Sequence, residues 1–342
     1  MPETTDEVRM AMAIDLGASV RTTTAPNPWV GAVVVTTEGT VHGGATEPPG
    51  GRHAEVVALD AARGAGGDLA THGATVYVTL EPCAHQGLTG PCSKALIDAG
   101  VRRVVVAVAD PDRRVAGAGM AELRDAGVAV ELGCRADDIT DQLHPYLHHR
   151  RTGRPYVVLK LAATLDGRTA APDGTSQWIT GSEARTDAHR LRAESQAIVV
   201  GAGTVAADDP SLTTRLVEGP DPWRIVLGGA PDGARVHPCA EWTRDDGDLG
   251  ALLDSLGERG VVQALVEGGA TVAGSFHRAG LVDHYVVYLA PALAGGDDAP
   301  GLFGGPGPAT IADIWRGEIT AVTPVGSDIR VDLRPTPDPG AT

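Results

Sequence analysis

Short apolar runs rich in valine alternate with stretches of helical periodicity in the first 135 residues of the chain. We predict strands where the runs lie, at 30–35, 75–80, 103–109 and 128–132, and helices at 53–63, 93–99 and 120–125. Glycines at 100 and 127 follow two of these helices, and helices commonly end at glycine. Strands that alternate with helices pack in layers, so this half of the chain is predicted to form an α/β domain.

The same alternation begins again near residue 156. Predicted strands occupy 156–162, 197–200, 223–227, 261–266 and 283–288, predicted helices occupy 183–194 and 271–279, and the Gly-, Asp- and Pro-rich stretches at 228–248 and 294–310 are predicted loops. Between the two series lies the polar, basic segment LHPYLHHRRTGRP, which we predict to connect two domains. We place the boundary near Arg150, which gives domains at 1–150 and 151–342. No internal repeat relates them.

Length and charge limit the classes of protein. At ~150 residues per domain, a chain of 342 residues agrees with two domains. The chain has 28 Lys and Arg against 44 Asp and Glu, a net charge of −16 that disfavours nucleic acid as a partner. No cationic segment leads into an apolar run near the N-terminus, and no apolar run approaches ~18 residues, so we expect a cytoplasmic protein without a membrane partner. The composition leaves a homo-oligomer open.

One imidazole and two thiols are predicted to meet in the first domain. His53 opens the first predicted helix, Cys83 follows the strand at 75–80, and Cys92 stands at the next helix. Three such ligands leave one position of a zinc ion for water, as in catalytic zinc sites. Glu55 can then act as a general acid/base beside the metal without binding it. Any one of these residues alone would more often be an ordinary core or helix-end residue, but the combination predicts zinc.

This pattern is similar to the cytidine-deaminase signature H-x-E…P-C-x-x-C, except that eight residues separate the two cysteines. The stretches NPWVG at 27–31 and EPCAHQGLTGPC at 81–92 resemble the long-loop variant of the bifunctional riboflavin-biosynthesis deaminase/reductase family. The resemblance implies a cytidine-deaminase-like three-layer α/β/α domain and assigns Asn27 to the substrate. His85, inside the long loop, either contacts substrate or braces the loop. Cys134 and Cys239 lack nearby ligand partners and are predicted core or loop thiols.

The chain departs from the family pattern at positions that concern substrate. Ala45 and Thr46 stand where the family usually carries an aromatic residue and a histidine, and Arg52 stands where it has proline. Leu88 replaces an arginine of the cysteine loop, which removes one candidate phosphate partner. Arg52 is the candidate replacement for that arginine.

The second half carries VLKLAATLDGRTA, SQWIT, GAGTVAADDPSLTTR and LVEGGATVAGSF in this order, a series that resembles the reductase domain of the same family. The likeness then covers about residues 8–335 and implies a dihydrofolate-reductase-like α/β domain that uses NADPH. Independently, LVEGG places a glycine pair at a helix start, where backbone N–H groups can hold phosphate. The pair Gly201 and Gly203 does not make a Rossmann fingerprint, because Ala206 stands at the third glycine position.

An ammonium group within an apolar strand is costly to bury, so Lys160 needs a carboxylate or phosphate partner unless it snorkels from the strand end. Arg192 and Arg215 are placed to meet a phosphorylated substrate, since the guanidinium fork suits phosphate. The resemblance adds Ser176, Leu212 and Glu267 to the substrate residues. It assigns to the nucleotide Ala162, Trp178, Thr204, Asp208, Gly269, Ala270, Thr271, Val272, Ala273, Gly274 and Ser275. Trp178 is equally compatible with a core aromatic.

As a whole, the resemblance implies zinc-dependent deamination of a diaminopyrimidinone ribosylamine 5-phosphate, followed by NADPH-dependent reduction of its ribosyl group to ribityl. One alternative is a nucleoside or nucleic-acid deaminase with an unrelated appended domain, although the charge of −16 argues against nucleic acid. Another is a non-enzymatic protein that retains a zinc scaffold. Glu55 argues against it, because a structural site needs a fourth ligand and no base.

Overall fold

Two β-sheets organise the chain, one in each half. The computed structural model describes residues 4–87, 90–112, 115–243 and 248–336. The chain divides into two units, Met1–Gly153 and Arg154–Thr342. This division lies three residues beyond the boundary placed near Arg150, after the end of a helix rather than within it.

The first unit holds a five-stranded sheet in the order β2-β1-β3-β4-β5. Its elements in the described residues are α1 Thr5–Ser19, β1 Gly31–Val35, β2 Val41–Ala45, α2 Ala54–Gly66, β3 Thr75–Leu80, α3 Cys92–Asp98, β4 Arg103–Val108, α4 Ala118–Asp125, β5 Ala129–Leu132, α5 Ala136–Gln142 and α6 His144–Thr152. Strand β1 is antiparallel to both of its neighbours, whereas β3, β4 and β5 run parallel. The carboxyl ends of β3 and β4 therefore meet at one edge of the sheet.

Two adjacent glycines of β2 show that helices cover both faces of this sheet. Successive residues of a strand point to opposite faces. A β-carbon on Gly43 would collide with Leu16 of α1, and one on Gly44 would collide with Ala54 and Ala58 of α2. Helices α1 and α2 thus lie on opposite sides, which makes the predicted three-layer α/β/α arrangement.

The second unit holds an eight-stranded sheet in the order β12-β13-β11-β6-β10-β7-β8-β9. Its elements in the described residues are β6 Tyr156–Thr164, α7 Ser182–Glu194, β7 Ala197–Gly201, α8 Ala202–Asp208, β8 Trp223–Leu227, β9 Ala240–Trp242, α9 Leu249–Glu258, β10 Gln263–Val266, α10 Ala270–Arg278, β11 His284–Ala290, β12 Gly317–Val325 and β13 Asp328–Pro335. The strands from β11 to β9 in that order pair in parallel, and β13 and β12 add antiparallel at one edge.

Alternate residues of the central strands feed two separate cores in this unit. Val157 and Leu159 of β6 pack with α9 and α10 on one face. Tyr156 and Val158 pack with α7 on the other. Because both faces are covered, the central strands are mostly apolar, as buried parallel strands usually are, with Lys160 of β6 a charged exception.

The predicted strands and helices are confirmed, with ends that move by at most a few residues. The segment predicted to connect two domains is largely the helix α6, which tolerates Pro145 in its first turn and ends at Gly153 with φ +78°. The expectation of a loop over 228–248 is wrong in part, since this stretch contains β9. No helix among the described residues has both the length and the apolarity to cross a bilayer.

Candidate metal and substrate sites

The three predicted zinc ligands come together at the start of two helices. His53 is the residue that caps α2, Cys83 lies in the loop after β3, and Cys92 is the first residue of α3. The Nδ1 atom of His53 lies 3.1 Å from the sulfur of Cys92 and 3.6 Å from that of Cys83. All three ligand atoms lie within 4.8 Å of one another. Tetrahedral zinc with bonds of about 2.0–2.3 Å requires ligand atoms roughly 3.5 Å apart, so the donor set fits zinc in both chemistry and spacing.

The two cysteines share one proton, which favours a thiolate at Cys83. A hydrogen bond from Cys92, together with His53, lowers the pKa of Cys83 to about 4. The same contact and burial raise the pKa of Cys92. A pair of thiols that shares its proton in this way can exchange that proton for a cation.

Glu55 lies beside the ligands in the first turn of α2 and is only 3% exposed. Burial, aided by the negative charge of Cys83, raises its pKa to about 7. A carboxyl group with a pKa near the working pH is well suited to take up and return a proton.

A cavity of about 310 Å³ opens next to His53, Cys83 and Glu55. Among the residues that line it are Asn27, Thr46, His53, Glu55, Glu81, Cys83, His85, Asp110, Asp112, Tyr146 and Arg150. Asn27 and His85, which the sequence pattern selected, thus share one cavity with the metal ligands.

Sequence reasoning missed the acidic wall of this cavity. Glu81 accepts hydrogen bonds from the backbone N–H groups of Asp110 and Gly117, at 3.3 and 3.1 Å. The hydroxyl of Tyr146 donates to Asp110 at 3.0 Å, and burial raises the pKa of Asp110. The signal was available in part, since EPC directly follows β3 and DPD follows β4 after one further residue. Ligands commonly bind at the carboxyl ends of parallel strands.

The departures from the family pattern have clear positions, apart from Leu88, which lies outside the described residues. Arg52 binds the carboxylates of Glu47 and Asp60, the latter at 2.9 Å. Its guanidinium is therefore engaged on the loop instead of facing the cavity. Thr46 is buried, and its hydroxyl accepts from the backbone N–H of Val30 at 3.2 Å.

The second unit contains a buried cluster of opposite charges. Arg192 on α7 makes two hydrogen bonds to Glu267, at 2.6 and 2.9 Å, and Lys160 on β6 lies 3.9 Å from the same carboxylate. Burial opposes ionisation, yet the charges of Arg192 and Lys160 lower the pKa of Glu267 to about 2. Lys160 thus has the carboxylate partner that its place in an apolar strand requires, and the snorkelling alternative is wrong.

Several residues predicted to bind nucleotide lie near the N-termini of α8 and α10. A β-carbon on Gly269 would lie 3.0 Å from the hydroxyl of Thr204, so the two helix starts approach closely. Ser176, predicted for substrate, donates to Asp208, predicted for nucleotide, at 3.1 Å.

The other predicted nucleotide residues vary in exposure. Trp178 is 65% exposed under the guanidinium of Arg185, so the core-aromatic alternative is wrong. Ala273 is buried in the core, and Gly274 packs on Gly304.

Comparison with known proteins finds a matching family model for each half of the chain. The family model described as "Cytidine and deoxycytidylate deaminase zinc-binding region" matches residues 3–108, and "RibD C-terminal domain" matches residues 155–331. The riboflavin biosynthesis protein RibD of Mycobacterium tuberculosis is 44% identical over 340 residues, which cover 95% of this chain and 96% of that protein. RibD of Escherichia coli is 40% identical over 368 residues, with 96% and 99% covered.

Solved structures agree along the whole chain. A structure of Acinetobacter baumannii RibD superposes with a TM-score of 0.88 at 38% identity, covering 97% of this chain and 99% of that one. A diaminohydroxyphosphoribosylaminopyrimidine deaminase/5-amino-6-(5-phosphoribosylamino)uracil reductase from Thermotoga maritima gives a TM-score of 0.87 at 32% identity, with the same coverage. The expected deaminase-like and dihydrofolate-reductase-like folds are confirmed. The alternatives of an unrelated second domain and of a non-enzymatic scaffold are wrong.

Proposed function

The chain belongs to the RibD family of bifunctional deaminase/reductases of riboflavin biosynthesis, and on that premise we propose how its residues divide the work. The first step is deamination of 2,5-diamino-6-(5-phosphoribosylamino)pyrimidin-4(3H)-one at the carbon that bears the 2-amino group. The second is reduction of the ribosyl group to ribityl. The deaminase occupies 1–150 and the reductase 151–342, an assignment supported by the division of the chain into two units.

The observation that carries the deaminase proposal is the meeting of an N/S/S donor set and a buried carboxyl group in one cavity. His53, Cys83 and Cys92 hold zinc, which when bound acts as a Lewis acid toward water. Glu55 takes a proton from the attacking water and delivers it to the departing ammonia. Its burial, which raises its pKa above the usual range of a glutamate, suits it to this transfer of a proton.

In the reductase, the N-terminus of α10 after the glycine pair is the proposed site for phosphate of NADPH, with Thr204 beside it. NADPH bound there would supply the hydride that reduction at C1 of the ribosyl group requires. Arg215 and Lys160 provide positive charge toward the phosphorylated substrate. Arg192 holds the buried carboxylate of Glu267, which in turn lies beside the ammonium group of Lys160.

The proposed partners are small molecules, and the proposed compartment is the cytoplasm. The acidic net charge of −16 supports the first proposal. Thiol ligands, which persist in a reducing compartment, support the second.

Two variants of the first unit test the division of roles. The wild type is expected to hold about one zinc per chain. Cys83→Ser is expected to lose most of this zinc together with ammonia release. Glu55→Gln is expected to keep the zinc but to lose deamination by at least ~100-fold, the contribution of a general acid/base. Metal content and steady-state ammonia release decide both. Loss of zinc from Glu55→Gln, or full zinc and full activity in Cys83→Ser, would contradict the assignment. Both variants should still reduce substrate that has already been deaminated.

A further inference from the structure

A buried histidine of the second unit is used by none of the steps above. His189 lies on α7, one turn before Arg192, and is 3% exposed. Its Nδ1 atom lies 3.1 Å from the backbone nitrogen of Arg215 and accepts that N–H group. This hydrogen bond joins α7 to the segment 213–215, which lies between α8 and β8.

The charged groups around His189 hold its ring neutral. Burial first, and then the positive charges of Arg192, Arg215 and Lys160, lower its pKa to about 4, against the opposing charge of Glu267. Nδ1 accepts the Arg215 N–H group, and Nε2 lies 3.5 Å from a guanidinium nitrogen of Arg192. His189 is therefore a fixed acceptor near neutral pH.

Three side chains hold the segment 213–215, each by its backbone. Arg192 donates to the carbonyl of Thr213 at 3.2 Å, and Asp221 accepts the N–H group of Thr214 at 2.7 Å. His189 holds the next residue, Arg215. Removing the Nδ1 acceptor of His189 would release the backbone of Arg215, the only one of these three residues with a positively charged side chain.

The Arg215 guanidinium is the cation of this cluster that is available to a ligand. Glu267 and the carbonyl of Thr213 already engage Arg192. In the part of the chain that the structure describes, by contrast, the Arg215 side chain makes neither an ion pair nor a hydrogen bond. Burial first, and then the nearby positive charges of Arg192 and Arg235, lower its pKa. A second positive charge beside an unpaired guanidinium favours a dianionic group such as phosphate.

We propose that His189 is a positioning residue for the reductase, which sets the place of Arg215 through the backbone so that its guanidinium meets the phosphate of the substrate. The inference rests on the proposed function, in which Arg215 binds that phosphate. Fixing the backbone beforehand lowers the entropic cost of binding, so the effect falls on affinity more than on the chemical step.

A matched pair of amide variants of the full-length enzyme isolates the acceptor. The side-chain oxygen of asparagine reaches about where Nδ1 of histidine lies, whereas that of glutamine extends to the position of Nε2 and cannot replace it. His189→Asn should keep the KM of the deaminated phosphorylated substrate near that of the wild type. His189→Gln should raise this KM about tenfold with little change in kcat, the size expected when one hydrogen bond is lost. Ammonia release in both variants reports whether the rest of the chain is intact.

Inhibition of the reductase by ribose 5-phosphate and by ribose gives a readout that a purely structural role would not move. His189→Gln should weaken inhibition by ribose 5-phosphate about tenfold and leave that by ribose unchanged. Arg215→Ala, the variant of the proposed phosphate partner, should show the same pattern. If Arg215→Ala weakens phosphate binding and His189→Gln does not, or if the Asn and Gln variants behave alike, the inference is overturned while the proposed function stands. If Arg215→Ala binds both inhibitors as the wild type does, the proposed role of Arg215 fails, and the inference with it.

Discussion

Lys160 occupies a setting in which a charged side chain costs stability. Its ammonium group is enclosed on an apolar strand, and burial lowers its pKa while Glu267 raises it. Glu267 is already bound by Arg192 through both oxygens, so the fold does not need a second cation there. A charge kept at such cost is better explained by a ligand than by stability.

We therefore expect Lys160→Ala to lower the rate of reduction at least ~tenfold, the effect of losing ~1.4 kcal/mol of interaction in the transition state. Deamination should be unchanged. The chain offers a matched control, because its other lysine, Lys94, is exposed and forms a surface ion pair with Asp98 at 3.4 Å. Lys94→Ala should alter neither reaction. Steady-state rates of both reactions in both variants test this, and wild-type reduction in Lys160→Ala would leave Lys160 a structural residue.

At the scale of elements, the pairing of β6 with β11 begins at a buried carboxyl group. Asp283, the residue before β11, accepts the backbone N–H group of Val157 at 2.8 Å and donates its own N–H group to the carbonyl of Val157. Burial raises the pKa of Asp283 to about 6 from its usual 3.8. Because the folded state holds this proton more tightly than the unfolded state, ionisation of Asp283 costs stability as the pH rises from about 4 to 6.

Asp283→Asn keeps an oxygen that can accept from Val157 but cannot ionise. The free energy of unfolding of Asp283→Asn should rise relative to that of the wild type between pH 4 and pH 6. Above pH 6 it should stay about 1–3 kcal/mol higher. Urea unfolding of both proteins at pH 4 and pH 8 measures the difference. Asp254→Asn is the contrasting control. Asp254 is exposed and Arg154 lowers its pKa, so its removal should give no such gain. An equal change for Asp283→Asn at both pH values would contradict this account.

At the scale of the molecule, each unit has its own sheet and its own apolar core, so the two activities should be separable. A fragment that ends at Gly153 should bind about one zinc and release ammonia from the diaminopyrimidine substrate. A fragment that ends at Leu143 lacks α6, and with it Tyr146 and Arg150 of the cavity wall. It should lose deamination. Zinc content and ammonia release of the two fragments test this, and an inactive but folded 1–153 fragment would show that the deaminase requires the second unit.

Much of the fold follows from local pattern. The valine-rich run at 75–80 predicted β3 to the residue, and the helical spacing after His53 predicted α2, because burial of one helix face repeats every three to four residues. The pattern failed where an element depends on its neighbours. Strand β2, with two glycines, has little propensity of its own and forms because β1 offers an edge. The sequence suggested no strand in β12, which lies exposed at the sheet edge, because its burial pattern lacks a clear core face.

The sequence by itself determined which chemical groups are present and roughly where each stands along its strand or helix. The ligand set of His53, Cys83 and Cys92 could be inferred because one imidazole and two thiols at two helix starts and the loop before the second point to zinc. The tertiary structure alone decided which groups meet across long separations, as when Tyr146 reaches Asp110 and Arg215 reaches His189. The physical reason is that periodicity reports only which face of an element is buried. The partner on that face depends on the order of strands and the path of loops, which are set by packing of the whole unit.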